Sequence, residues 1–234
     1  MADPRPLVLI TGAARGIGRA IAHELADDHA LVLCGRDPDA LAALAAELRG
    51  ATTLCADLTD LVAVAGALDA EGLTAPSTRL AGVVHSAGIL VSGTVEDLTV
   101  EDWTRSFAVN VTAVADLTRR LLPALRRARG TVVTINSGSG FTAGPGGAAY
   151  AASKFALRAF TDSLRAEERE HGVRVSSVHP GRVDTDMQHE LRAFEQGDYQ
   201  AENYLRPSSV AKAVRFALDA SEEASIDQIS VRPR

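Results

Sequence analysis

Short apolar runs alternate along the chain with longer segments in which apolar positions recur every three or four residues. The apolar runs fall at 6–10 (PLVLI), 31–35 (LVLCG), 51–56 (ATTLCA), 80–84 (LAGVV), 130–136 (GTVVTIN), 173–178 (VRVSSV) and 226–232 (IDQISVR). They read as continuous rather than alternating strands, which fits burial on both faces. Helical periodicity covers about 16–28, 38–48, 60–70, 100–126, 149–171 and 208–220. Such alternation predicts βαβ crossovers, and with them a single domain of doubly wound α/β type: a seven-stranded parallel sheet between two layers of helices. One stretch departs from the pattern. Residues 186–206 (DMQHELRAFEQGDYQAENYLR) are polar, weakly periodic and interrupted by Gly197. They are expected to form a loop over the carboxyl edge of the sheet, where substrate contacts gather.

Composition narrows the function. At 234 residues and 46% apolar, the chain can bury a substantial core. Its net charge of −6 argues against a nucleic-acid surface. The longest early apolar run, LVLI at 7–10, is too short for a membrane span or a signal-peptide core, so no membrane association is expected. Cys34 and Cys55 both lie in strand-like sequence and are expected as buried small hydrophobes rather than a disulfide or metal pair. No metal is called for, and a reduced cytoplasmic setting is the default. Of 24 basic residues only Lys154 and Lys212 are lysines, so a lysine at 154 is more than a generic positive charge.

The stretch TGAARGIG at 11–18 follows the first strand and opens the first helix. Gly12, Gly16 and Gly18 permit a sharp turn, close approach to a pyrophosphate and packing of helix on sheet. The helix start offers free N–H groups and a positive dipole end to an anion. The second strand ends in Gly35-Arg36-Asp37. Arg36, with help from Arg15, would suit the 2′-phosphate of NADP. Asp37 would serve the 2′-hydroxyl of NAD if the strand ran one residue longer. NADP(H) is favoured and NAD(H) stays open. In YAASK at 150–154, Tyr150 and Lys154 lie one helical turn apart on one face. A neighbouring ammonium would lower the phenol from its ordinary pKa of ~10 toward that of a usable acid.

With TGAARGIG and YAASK in this order and at this separation, the chain resembles a short-chain dehydrogenase/reductase over essentially its whole length. The resemblance implies a Rossmann-type fold and reversible hydride transfer between a nicotinamide and a small carbonyl or alcohol substrate. It casts Ser137, Tyr150, Lys154 and Asn110 as the catalytic set: Ser137 on the substrate oxygen, Tyr150 as proton donor, Lys154 beside it on the nicotinamide ribose. Asn110, in FAVNVTA, would bond backbone at a helix distortion and hold a water leading to Lys154. Further cofactor contacts are implied at Ile17 in the glycine loop and at Asp57 and Leu58 in CADLTD, with Asp57 on the adenine. HSAG at 85–88 stands where the family usually has NNAG, with Ala87 and Gly88 kept and His85 expected to be structural. PGRVDT at 180–185 matches the family's PGxVxT, so Pro180, Gly181, Val183 and Thr185 would border the nicotinamide carboxamide. Phe141, Thr142, Ala143 and Gly144 are expected to line the pocket, with Phe194, Tyr199 and Tyr204 closing over an apolar substrate of modest size. The family analogy also implies a homodimer or homotetramer built on the 100–126 and 149–171 helices. A dinucleotide-binding regulator that has lost its chemistry is the alternative of a different class.

Overall fold

The computed structural model describes residues 5–234. Among these, seven parallel strands form one sheet: β1 Leu7–Thr11, β2 Ala30–Gly35, β3 Thr52–Cys55, β4 Gly82–His85, β5 Thr131–Ile135, β6 Arg174–Pro180 and β7 Gln228–Val231. Their spatial order is β3-β2-β1-β4-β5-β6-β7, so the winding reverses between β1 and β4. The register pairs Thr11 with Cys34 on one side and with His85 on the other. Those residues bring the carboxyl ends of the three strands level.

Alternate residues of each central strand feed two separate cores. Val8 and Ile10 of β1 pack on one face with Leu33, Val84, Val133 and Val178. Helices α1 Gly16–Leu25, α2 Pro38–Glu47 and α8 Pro207–Leu218 cover that face through Ile21, Leu41 and Val214. Leu9 points the other way, with Val32, Val83, Val132 and Val175. That face is closed by α3 Leu61–Ala70, α5 Ala113–Ala128 and α6 Ala148–Glu168 through Leu68, Leu121 and Leu164. Each fully buried leucine contributes about 1.5–3 kcal/mol to this arrangement.

Local chemistry sets the helix starts. Asp37 accepts a hydrogen bond from the Ala40 N–H at 3.0 Å and Pro38 opens α2. Thr99 and Asp102 form a reciprocal capping box at the head of α4, Val100–Phe107.

The helix distortion expected at Asn110 is a π-helical turn, Ala108–Thr112, which divides the 100–126 stretch into α4 and α5. Two expectations are corrected. The 186–206 stretch is not all loop, because Asp186–Phe194 forms α7 and Ala201–Asn203 a short 3₁₀ turn. Cys34 is buried, and burial pushes its thiol up to about 12, but Cys55 is exposed. β3 is an edge strand on which only Leu54 is buried, and Cys55 is exposed at its end.

Candidate active site

The reversal between β1 and β4 opens a crevice at their carboxyl ends. Gly12, at φ +63°, turns the chain out of β1, and a Cβ there would lie 2.9 Å from the Ala87 backbone. At Gly18 a Cβ would fall 2.1 Å from the Gly12 carbonyl oxygen, so α1 fits against its own loop only without a side chain. The helix begins at Gly16 with no side-chain cap from Arg15. Its first N–H groups, those of Ile17 and Gly18 among them, are left for an anion. Thr11, which the motif reading passed over, ties the two halves together: its Oγ1 accepts from the Ser86 and Ala87 N–H groups, each at 3.1 Å. Ala87 and Gly88 are thereby held against the glycine loop.

The far end of the crevice lies at the ends of β2 and β3. Arg36 follows directly on Gly35, and its guanidinium stands 3.8 Å from the Asp57 carboxylate, both groups being exposed. Asp57 is anchored by the N–H and hydroxyl of Thr59 at 2.9 and 2.7 Å, and these bonds hold its carboxyl below the usual range. Leu58 packs half-buried on the core beside it. β2 stops at Gly35, and the Asp37 carboxylate is spent on capping α2. Arg15 is not beside Arg36. It pairs with Asp186 of α7 at 3.1 Å, across the crevice.

A cavity of about 460 Å³ fills the near end. Ser137, Tyr150 and Lys154 line it together with Ile17, Gly88, Pro180, Gly181, Val183 and Thr185. Ser137 stands beside the Tyr150 hydroxyl, and Ser139, the neighbouring serine, donates its N–H to Ser137 Oγ at 3.1 Å. Burial raises the Tyr150 phenol above its ordinary value, and the neighbouring Ser137 side chain only partly offsets this. In the protein alone, burial outweighs any lowering of the phenol. Lys154 is buried, its Nζ 5.7 Å from the centre of the Tyr150 ring and donating to the Ile135 carbonyl at 2.9 Å. Burial pushes its ammonium down to about 8.

The floor of this cavity is a hydrogen-bonded scaffold. Asn110 reaches out of the π turn, accepting from the Ile89 N–H and donating to the Ile89 carbonyl, both at 3.0 Å. It also donates to Ser153 Oγ at 3.0 Å, on the helix of Tyr150 and Lys154. Asn136 and His179 were not singled out in the sequence. Asn136 accepts from the Ser137 N–H at 2.8 Å and donates to the Lys154 carbonyl at 3.2 Å, fixing both residues. His179 Nδ1 meets the Ser137 carbonyl at 3.0 Å, and burial lowers its pKa, so it holds that strand end as a neutral ring. His85 is structural as expected, its Nε2 bonded to Thr118 at 2.9 Å and its pKa driven down to about 3 by burial.

The roof is α7. Met187, Gln188, Leu191 and Phe194 line the cavity from it, at helical spacing, and Glu195 joins them from the residue that follows the helix. Of the residues expected to line the pocket, Thr142, Gly144 and Phe194 do so. Phe141 instead packs on His179, 4.3 Å between ring centres, and Ala143 is not among the lining residues. Tyr199 stacks on His189 and donates to Asp184, with Tyr204 4.9 Å away. These tyrosines fasten the returning segment, which pairs with the 182–184 backbone through Leu205, and they do not close the pocket.

Residues 6–196 match the family described as short chain dehydrogenase. A cyclopentanol dehydrogenase of Comamonas is 35% identical over 231 residues, spanning 94% of this chain and 91% of that one. An alcohol dehydrogenase of the archaeon Thermococcus sibiricus, solved with 5-hydroxy-NADP, superposes with a TM-score of 0.87 at 28% identity, covering 98% of this chain and 97% of the other. A 3-oxoacyl-[acyl-carrier protein] reductase of Brucella melitensis with bound NAD gives 0.82 at 29% identity, over 97% and 89% of the two chains. The chain belongs to the short-chain dehydrogenase/reductase family of oxidoreductases.

Proposed function

We propose that the protein reduces a ketone or aldehyde with NADPH, reversibly, through Tyr150 as proton donor. The observation that carries this reading is the meeting of Ser137, Tyr150 and Lys154 in one cavity that adjoins the glycine-loop crevice. Alcohol and ketone chemistry is also what the cyclopentanol dehydrogenase, the solved alcohol dehydrogenase and the solved 3-oxoacyl reductase carry in their names.

The crevice fits a dinucleotide by its own construction. The α1 terminus and the loop Gly12–Gly18 would hold the pyrophosphate, and Arg36 would hold the 2′-phosphate. Asp57 and Leu58 would border the adenine, Ala87 and Gly88 the ribose beyond it. Tyr150 and Lys154 would bind the nicotinamide ribose, and Pro180, Gly181, Val183 and Thr185 the carboxamide. NADPH, when bound, supplies the hydride that the carbonyl carbon takes up. Ser137 donates a hydrogen bond to the carbonyl oxygen as negative charge builds there. Tyr150 delivers the proton to that oxygen. The positive charge of Lys154 favours the phenolate left behind, offsetting the burial that otherwise opposes it. Asn110 keeps the π turn open beside Lys154, on the side from which water would return the proton.

NADP(H) preference is supported by Arg36 standing at the strand end while Asp37 caps α2. Arg15 assists only if it leaves Asp186, and as an exposed pair that contact is weak. We further assign a cytoplasmic setting and a homodimer or homotetramer built on α4, α5 and α6, whose Val100 and Phe155 are exposed apolar side chains. Titration with NADPH and NADH, followed by nicotinamide fluorescence, tests the cofactor assignment. Preference for NADPH, with turnover of simple ketones, is expected. Preference for NADH would move the ribose contact to Asp37 and the chemistry toward alcohol oxidation. Tight NADPH binding without turnover of any carbonyl compound would make the protein a regulator.

A further inference from the structure

The buried position of α7 holds not a leucine but Gln188, 5% exposed. A helix that caps an apolar pocket ordinarily presents apolar residues inward. Met187, Leu191 and Phe194 do that here, and they surround Gln188 on the cavity wall. Its side-chain Nε2 has no hydrogen-bond partner among the described residues. Buried amide groups are nearly always paired, so one left open beside a cavity is a group awaiting a ligand. The terminal torsion of glutamine is broad, which lets the carboxamide turn its NH₂ toward an occupant of the cavity.

We propose that Gln188 is a specificity-determining residue. It donates a hydrogen bond to a second, uncharged acceptor on the substrate: an ether, hydroxyl or further carbonyl oxygen at some distance from the reacting carbonyl. This deepens the carbonyl-reductase reading and rests on it. Position supports the substrate over the cofactor. Gln188 lies about one helical turn beyond Thr185, toward Leu191, Phe194 and the cavity rim, whereas Thr185 borders the nicotinamide end. Charge supports a neutral acceptor over a carboxylate. The one guanidinium lining the cavity among the described residues, Arg182, already binds Glu195 through two bonds of 2.9 and 2.6 Å. Glu195 is held in turn by Arg192 at 2.5 Å, so an anionic substrate would have to break an existing ion-pair network.

The test walks an acceptor along a substrate of constant size. 2-Heptanone is compared with its analogues in which one methylene at position 4, 5 or 6 is replaced by an ether oxygen. Each is assayed with the wild type, Gln188→Met and Gln188→Leu, using NADPH, and NADPH affinity is measured by fluorescence for all three proteins. For at least one ether position, both variants should lose at least about tenfold in kcat/KM, while 2-heptanone changes by less than about threefold. NADPH affinity should stay within about threefold in both variants, which also shows them folded. Equal losses for the ketone and all its ether analogues would overturn the proposal, since Gln188 would then be merely structural. A parallel loss of NADPH affinity would overturn it in favour of a cofactor contact. If the wild type binds NADPH but reduces none of the four compounds nor other simple ketones, the reductase reading fails and this proposal fails with it.

Discussion

Asn110 grips Ile89 by both ends of its carboxamide, accepting from the N–H and donating to the carbonyl at 3.0 Å each. The contact joins the π turn between α4 and α5 to the segment leaving β4. It explains why the helix is distorted there: the extra backbone turn aims a side chain at a loop that has no strand to pair with.

Replacing Asn110 by Leu leaves both Ile89 groups without a partner and removes the bond to Ser153. Each buried polar group left unsatisfied costs on the order of 1–3 kcal/mol. The variant should show a lower urea midpoint with an unchanged slope, and weaker NADPH binding because Gly88 is no longer held. An unchanged midpoint would mean the clamp is incidental.

Much of this was legible in the order of apolar runs, because a strand covered on both faces has to be apolar throughout its length. β1, β5 and β6 are such strands, and their limits fall within a few residues of those expected. The glycine loop and YAASK were legible because their chemistry demands particular residue types at fixed spacing. The π turn was not legible in the spacing itself, where a single asparagine looks only like a poor helix former, and only the family resemblance placed a distortion at Asn110. Nor was α7. Its apolar face consists of Met187, Leu191 and Phe194 scattered among charged residues, and the cavity-facing Gln188 blurs the stripe further. Cys55 misled because its run is apolar on average, whereas β3 lies at the sheet edge and buries only Leu54 fully.

Arg36→Ala removes the guanidinium expected to meet the 2′-phosphate. A charge-assisted hydrogen bond of about 1.5–3 kcal/mol corresponds to roughly 10–150-fold in affinity. NADPH should weaken by that factor in a fluorescence titration and NADH by only about threefold or less. Equal loss for both would take Arg36 out of phosphate recognition.

At Gly18 an added Cβ meets the Gly12 carbonyl at 2.1 Å, a backbone atom that cannot swing aside. Gly18→Ala should lower the melting temperature and abolish dinucleotide binding together. Normal NADPH affinity in that variant would show that the loop can reshape without cost.

His85 carries a pH dependence whose sign follows from its burial. Its pKa in the folded protein is depressed to about 3, below the ordinary 6.5, so the unfolded chain binds the extra proton between those values. Stability is therefore complete above about pH 6.5 and falls on acidification toward pH 3, by up to ~1.4 kcal/mol per pH unit from this one group. In His85→Asn the acid-side slope of unfolding free energy should be shallower than in the wild type, whatever the offset at neutral pH. His179 is depressed as well and should leave some slope in place. Identical slopes would mean that His85 titrates normally in the folded protein.

The most direct measurement is kcat for Tyr150→Phe with NADPH and a ketone that the wild type reduces, alongside NADPH affinity. Removing the phenol hydroxyl leaves the ring beside Lys154 but takes away the proton for the carbonyl oxygen. Turnover should fall by roughly 10²–10⁴-fold, the usual worth of a positioned acid, with NADPH affinity close to that of the wild type. Turnover within a few-fold of the wild type would contradict the assignment of Tyr150, and with it the mechanism proposed for this site.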